Sequence, residues 1–143
     1  MRATMARILL VDDDPMIRVT LPLALNVQGH DAVAAEDGGQ ALRLMRQESI
    51  DLVLTDVLMP NVDGLEVVRA VRKEFPTTAV VAMSGGSARL AGSDALELAR
   101  HMGAHGLLAK PFTEQQLRDV IGKALEAKVN PDVPPGSPSA PPH

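Results

Sequence analysis

The sequence predicts an α/β domain with a doubly wound, five-stranded parallel sheet, and three observations point there. Short apolar runs alternate with helix-period segments along most of the chain. Those runs barely alternate in polarity, as expected of parallel strands covered on both faces. The segments between them span roughly 10–15 residues, the spacing of βαβ units. Five such pairs give one sheet with helices on both faces, and right-handed crossovers restrict its topology to few choices.

Strands are expected at Arg7–Val11, Asp31–Ala35, Leu52–Thr55, Ala79–Met83 and Gly106–Ala109. The first helix starts at Pro15 with Asp14 as its N-cap and buries Ile17, Leu21, Ala24 and Leu25. Pro22 lies inside it and removes a backbone hydrogen bond, which predicts a kink. The second helix runs from about Gly39 to Gln47 and buries Leu42 and Met45. The third runs from about Leu65 to Glu74 and is stopped by Pro76. The fourth begins near Ser93, where Asp94 and Glu97 have capping-box spacing. The fifth opens on the capping box Thr113-Glu114-Gln115-Gln116 and buries Leu117, Val120, Ile121, Ala124 and Leu125.

The 143 residues fit one domain. Phe75 and Phe112 are the only aromatics, so the core has to be aliphatic. A net charge of −4 leaves no electrostatic footprint for nucleic acid or an anionic membrane. Without cysteine there is neither a disulfide framework nor thiolate chemistry. No signal peptide or apolar run of transmembrane length is visible, which gives a cytoplasmic expectation. The folded domain is expected over residues 1–129. Asn130–His143 holds six prolines and, apart from Val133, no large apolar side chain, so it reads as a Pro-rich disordered tail or a severed linker.

Four strands end in polar residues that packing does not explain. The first ends Val11-Asp12-Asp13-Asp14, the third Thr55-Asp56, the fourth Met83-Ser84 and the fifth Ala109-Lys110-Pro111. Ligands of open α/β sheets bind outside the carboxyl ends of the strands, where strand order reverses. If strands one and three are neighbours there, Asp12, Asp13 and Asp56 converge. Two carboxylates about 5 Å apart repel by roughly 3 kcal/mol at an effective dielectric of 20. Three call for a cation or for protonation, and an all-oxygen set suits Mg²⁺. A metal with an adjacent carboxylate and lysine has the parts of a phosphoryl-transfer site. Asp56 would be the nucleophile, with Lys110 and the Ser84 hydroxyl on phosphoryl oxygens.

Each piece also has a plainer reading. An acidic run after a strand is most often a helix cap, and Asp14 reads as one. Asp56 before Met59-Pro60-Asn61 could open a turn, Ser84 before Gly85-Gly86 could be a loop residue, and Lys110 could be solvated. Their joint placement at successive strand ends favours the site.

The runs Ile8-Leu9-Leu10-Val11-Asp12-Asp13-Asp14-Pro15, Asp51-Leu52-Val53-Leu54-Thr55-Asp56-Val57-Leu58-Met59-Pro60-Asn61-Val62-Asp63-Gly64 and Leu108-Ala109-Lys110-Pro111-Phe112-Thr113 resemble the receiver domains of two-component response regulators, of the CheY type. The resemblance covers about residues 6–128. It implies a flavodoxin-like sheet of order 2-1-3-4-5. It also implies that Asp56 accepts phosphate from a histidine kinase or phosphotransfer protein. Asp12, Asp13, Asp56 and the backbone carbonyl of Leu58 would hold Mg²⁺, with Ser84 and Lys110 on the phosphoryl group. Such a protein is no enzyme beyond its own phosphorylation and dephosphorylation. The sequence departs from the family in two places. Leu107 stands where an aromatic switch residue is frequent, and the loop Gly85–Gly92 is longer than usual. That loop and the fourth helix are expected to carry the conformational response. Leu58 and Gly86 offer no side-chain hydrogen bond to an attacking water, which implies a long-lived phosphorylated state.

The main alternative is a haloacid-dehalogenase-like phosphatase with Asp12 as nucleophile and Asp14 as acid/base. It lacks the further acidic pair after the lysine, since Asp119 falls in a helix. A flavodoxin would place a phosphate-cradling loop where three aspartates stand, and it would have no Trp or Tyr to stack on the flavin. A degenerate scaffold receiver is disfavoured by the presence of Asp13, Asp56, Ser84 and Lys110. With no output domain visible, the phosphorylated form is expected to dock to another protein or pass its phosphate on. The phosphodonor is expected over the first helix and the loop after the fifth strand, around Asp14, Pro15, Arg18, Leu21 and Phe112.

Overall fold

The computed structural model describes residues 6–57, 64–84 and 92–129. Ten elements alternate strictly: β1 (Arg7–Val11), α1 (Pro15–Val27), β2 (Asp31–Ala35), α2 (Gly38–Gln47), β3 (Leu52–Asp56), α3 (Gly64–Glu74), β4 (Ala79–Ser84), α4 (Gly92–His101), β5 (Gly106–Ala109) and α5 (Glu114–Val129). The sheet is all-parallel with order β2-β1-β3-β4-β5, the order that the resemblance implies. Residues 58–63 and 85–91, among them Leu58 and Gly86, and the segment 130–143 lie outside the described residues.

Strands β3 and β4 each run one residue further than expected. The backbone ladder continues through the pairs Asp56↔Met83 and Ser84↔Ala109, because a parallel ladder needs peptide groups and not apolar side chains. Asp56 and Ser84 are therefore the last residues of strands, held more firmly than loop residues.

Two buried clusters cover the two faces of the sheet. Leu9, Val11, Val53 and Val80 pack under α2 and α3 with Ala41, Met45, Val67, Val68 and Val71. Ile8, Leu10, Leu52, Leu54 and Val81 pack under α1 and α5 with Leu21, Leu25, Leu117 and Ile121. On the helix α1, Ile17 and Ala24 are only partly buried beside Leu21 and Leu25, and the helix continues through Pro22. α2 begins at Gly38, capped by the Asp37 side chain, which accepts from the Gln40 N–H at 2.8 Å. It buries Gly38, Ala41 and Met45, whereas the expected Leu42 is half-buried. Leu42 packs against the edge of the same cluster that holds Ala41 and Met45.

The capping box of α5 forms as expected. Gln116 N–H donates to Thr113 Oγ1 at 3.0 Å and Thr113 N–H to Gln116 Oε1 at 2.9 Å. The side chain of Asp94, from the other expected box, lies outside the described residues. No helix among the described residues is long and apolar enough to cross a membrane.

Candidate functional site

Because β1 and β3 are neighbours, their carboxyl ends meet. Asp12 follows β1 directly, is fully buried, and its N–H donates to the Ala35 carbonyl at 3.2 Å. Asp56 ends β3 and is 7% exposed, while Asp13 faces outward. One carboxylate oxygen from each of Asp12, Asp13 and Asp56 lies within 4.8 Å of the others. Asp14 is outside this group. Its side chain accepts from the Met16 N–H at 2.9 Å and caps α1 above Pro15.

Lys110 reaches across from the end of β5. Its Nζ donates to Asp12 Oδ2 at 3.1 Å and to Asp56 Oδ2 at 3.2 Å. Burial works against its charge, but the carboxylates of Asp56 and Asp12 outweigh it and hold the ammonium pKa above the usual lysine value. Lys110 is thus a fixed cation between two buried acids. Its own N–H donates to the Ser84 carbonyl at 2.9 Å, which ties the β4 and β5 ends together, and Ser84 is itself buried.

The donor set fits a small hard cation. It consists of three carboxylates with oxygen atoms at ligand spacing, and a single ammonium offsets only part of their charge. Both carboxylate oxygens of Asp12 accept hydrogen bonds, Oδ1 from the Asp14 N–H at 2.9 Å and Oδ2 from Lys110.

Sequence reasoning brought Asp12, Asp13, Asp56, Ser84 and Lys110 to one sheet edge, and the structure assembles all five there. It gave Gly64 no role and Arg18 a different one. Gly64, at the start of α3, faces the Asp56–Val57 backbone so closely that a Cβ would fall 1.9 Å from the Asp56 carbonyl oxygen. A glycine eight residues after the site aspartate was the available signal. Arg18 was expected at the mouth of the site, but its guanidinium turns inward, and Nη1 donates to the Asp12 carbonyl at 3.0 Å. No spacing argument could have shown that direction.

Next to the site, α1 and the β5–α5 corner enclose an open groove of about 550 Å³. Ile17, Leu21, Ala24, Pro111 and Phe112 are among its lining residues, and so is Lys110. Four of the five exposed large hydrophobic side chains among the described residues, Met16, Val19, Leu23 and Val27, lie on one outer face of α1.

Comparison with known proteins agrees with this geometry. Response regulator MprA of Mycobacterium sp. (strain KMS) is 38% identical over 136 residues, covering 93% of this chain and 56% of the relative. The transcriptional regulatory protein GlrR of Escherichia coli (strain K12) is 35% identical over 121 residues, 85% of this chain and 26% of that protein. The chain therefore spans about half the length, or less, of these curated relatives. Among solved structures, a response regulator receiver domain protein from Clostridium thermocellum superposes with a TM-score of 0.79 at 31% identity, covering 87% of this chain and 98% of that one. The chemotaxis response regulator CheY4 of Vibrio cholerae gives 0.73 at 29% identity, covering 85% and 99%. The response regulator receiver domain model matches residues 8–122. The chain belongs to the response regulator receiver domain family of two-component systems.

Proposed function

We propose that the domain takes a phosphoryl group onto Asp56 from a phosphohistidine donor, in a histidine kinase or a phosphotransfer protein. The observation that carries this reading is the position of Lys110 Nζ, shared between Asp12 and Asp56 at 3.1 and 3.2 Å beside a third carboxylate. A carboxylate oxygen of Asp56 attacks the phosphorus in line, the phosphorus–nitrogen bond breaks, and the departing imidazole keeps the electron pair and takes up a proton. The Lys110 ammonium then exchanges its bond to Asp56 for one to a phosphoryl oxygen. The Ser84 hydroxyl, at the neighbouring strand end, donates to another.

Asp12, Asp13, Asp56 and the Leu58 carbonyl would hold Mg²⁺; Leu58 itself lies outside the described residues. When bound, the ion supplies positive charge to the phosphoryl oxygens and lets an anionic donor approach the acids. The donor docks on the outer face of α1, where Val19 and Leu23 are 62% and 60% exposed, and over the adjoining groove. The phosphorylated domain switches protein–protein contacts of a downstream partner.

Intact-mass measurement after incubation with a small acyl phosphate tests the reading. One added phosphoryl group is expected in Mg²⁺ and none in chelator. Full labelling in chelator, or undiminished labelling of Asp56→Ala, would contradict it.

A further inference from the structure

Arg18 is the second cation beside the acidic cluster, and it does not face outward. Its Nη1 donates to the Asp12 carbonyl at 3.0 Å, and its Nη2 lies 3.8 Å from Glu36 Oε1. The Arg18 side chain is 25% exposed against 63% for Glu36. The carbonyl it grips belongs to the peptide joining Asp12 to Asp13. On the other side, that stretch is held by the Asp12 N–H on the Ala35 carbonyl, at the end of β2 and next to Glu36. The guanidinium therefore links the β1–α1 corner to the end of β2 from the helix side. Asp12 is held independently by Lys110 and by the Asp14 N–H, but the outward-facing Asp13 depends on how this peptide is oriented.

We infer that Arg18 is a positioning residue for the acidic cluster, acting through the Asp12–Asp13 peptide, and not a contact for the phosphodonor. The inference rests on the reading that Asp12 and Asp13 hold a divalent cation. A residue one step behind the ligands sets their orientation, and losing such a partner commonly weakens metal affinity 10–100-fold. Planarity matters here: a guanidinium addresses the carbonyl and Glu36 together, whereas an ammonium at the end of a flexible stem is a point charge.

The test is a MgCl₂ titration followed by amide chemical shifts, with small-donor labelling rates measured on the same samples and a thermal melt on each variant. In Arg18→Gln the half-saturating Mg²⁺ concentration should rise about tenfold or more. Its labelling should slow at low Mg²⁺ and recover toward the wild-type rate as Mg²⁺ saturates. Arg18→Lys should fall between the two, and Glu36→Gln should shift the half-saturation less than Arg18→Gln. A purely structural role would lower the melting temperature and leave the Mg²⁺ half-saturation in place. That outcome, or an unchanged Arg18→Gln isotherm beside a saturable wild-type one, would overturn the inference alone. A wild type with no saturable response to Mg²⁺ would overturn the functional reading and this inference with it.

Discussion

Gly64 and Asp56 touch backbone to backbone: a Cβ on Gly64 would meet the Asp56 carbonyl oxygen at 1.9 Å and the Val57 Cα at 2.5 Å. The neighbouring atoms are main chain, so no side chain can swing aside to make room. Asp56 can occupy the end of β3 only because α3 begins with a residue that has no side chain.

Gly64→Ala should therefore lower stability by at least about 2 kcal/mol, the scale of a forced backbone shift in a packed region. It should also impair labelling of Asp56, because the shift falls on that residue. Chemical denaturation combined with small-donor labelling checks both; a variant as stable and as readily labelled as wild type would contradict the relationship.

Lys110 offsets charge on two acids that are almost wholly buried. Lys110→Met leaves those acids together without a counter-ion. In chelator the variant should be less stable than wild type by about 2–4 kcal/mol, toward the cost of breaking a buried ion pair. Added Mg²⁺ should restore part of the loss, since a divalent ion replaces the missing charge. Equal destabilisation with and without Mg²⁺ would argue that the lysine contributes packing alone.

These two sites show what was legible in the sequence. The five strands could be read because buried parallel strands are continuous apolar runs, and Leu9-Leu10-Val11 or Val80-Val81-Ala82 have no other plausible place. The strand-end residues followed, because a strand's carboxyl end is fixed once the strand is. Less legible were features set by how elements approach one another. Ala41 of α2 is fully buried while Leu42 is only partly so, and Arg18 turns inward onto the β1–α1 corner. The outer face of α1 was hidden for a different reason. Its helix is apolar on two sides, and periodicity does not tell a core stripe from a docking stripe.

That outer stripe gives a prediction separable from the chemistry. Leu23 is 60% exposed and makes no part of the acidic cluster. Leu23→Asp should slow phosphotransfer from the cognate kinase at least tenfold while small-donor labelling stays at the wild-type rate, because a buried charge at the contact costs affinity. Equal loss of both activities would mean that the variant damages the fold.

His105 lies at the opposite edge of the sheet. Its Nδ1 accepts from the Val80 N–H at 3.0 Å, and Arg72 Nη1 stands 3.4 Å from its Nε2. Burial, and then the Arg72 charge, push its pKa down to about 4 from 6.5. The unfolded chain thus binds this proton first as pH falls, so the contribution is intact above pH 6.5 and is lost between 6.5 and about 4. His105→Asn keeps an acceptor for Val80 without titrating. Denaturation measured across this window should show a shallower decline for the variant; parallel curves would remove His105 as the cause.

The most direct test of the central claim is to locate the phosphoryl group. Borohydride reduction converts an aspartyl phosphate to homoserine, and peptide mass spectrometry then reads its position. After labelling in Mg²⁺, homoserine is expected at position 56 and nowhere else. Homoserine at position 12, with Asp56 unmodified, would contradict the account and make Asp12 the nucleophile.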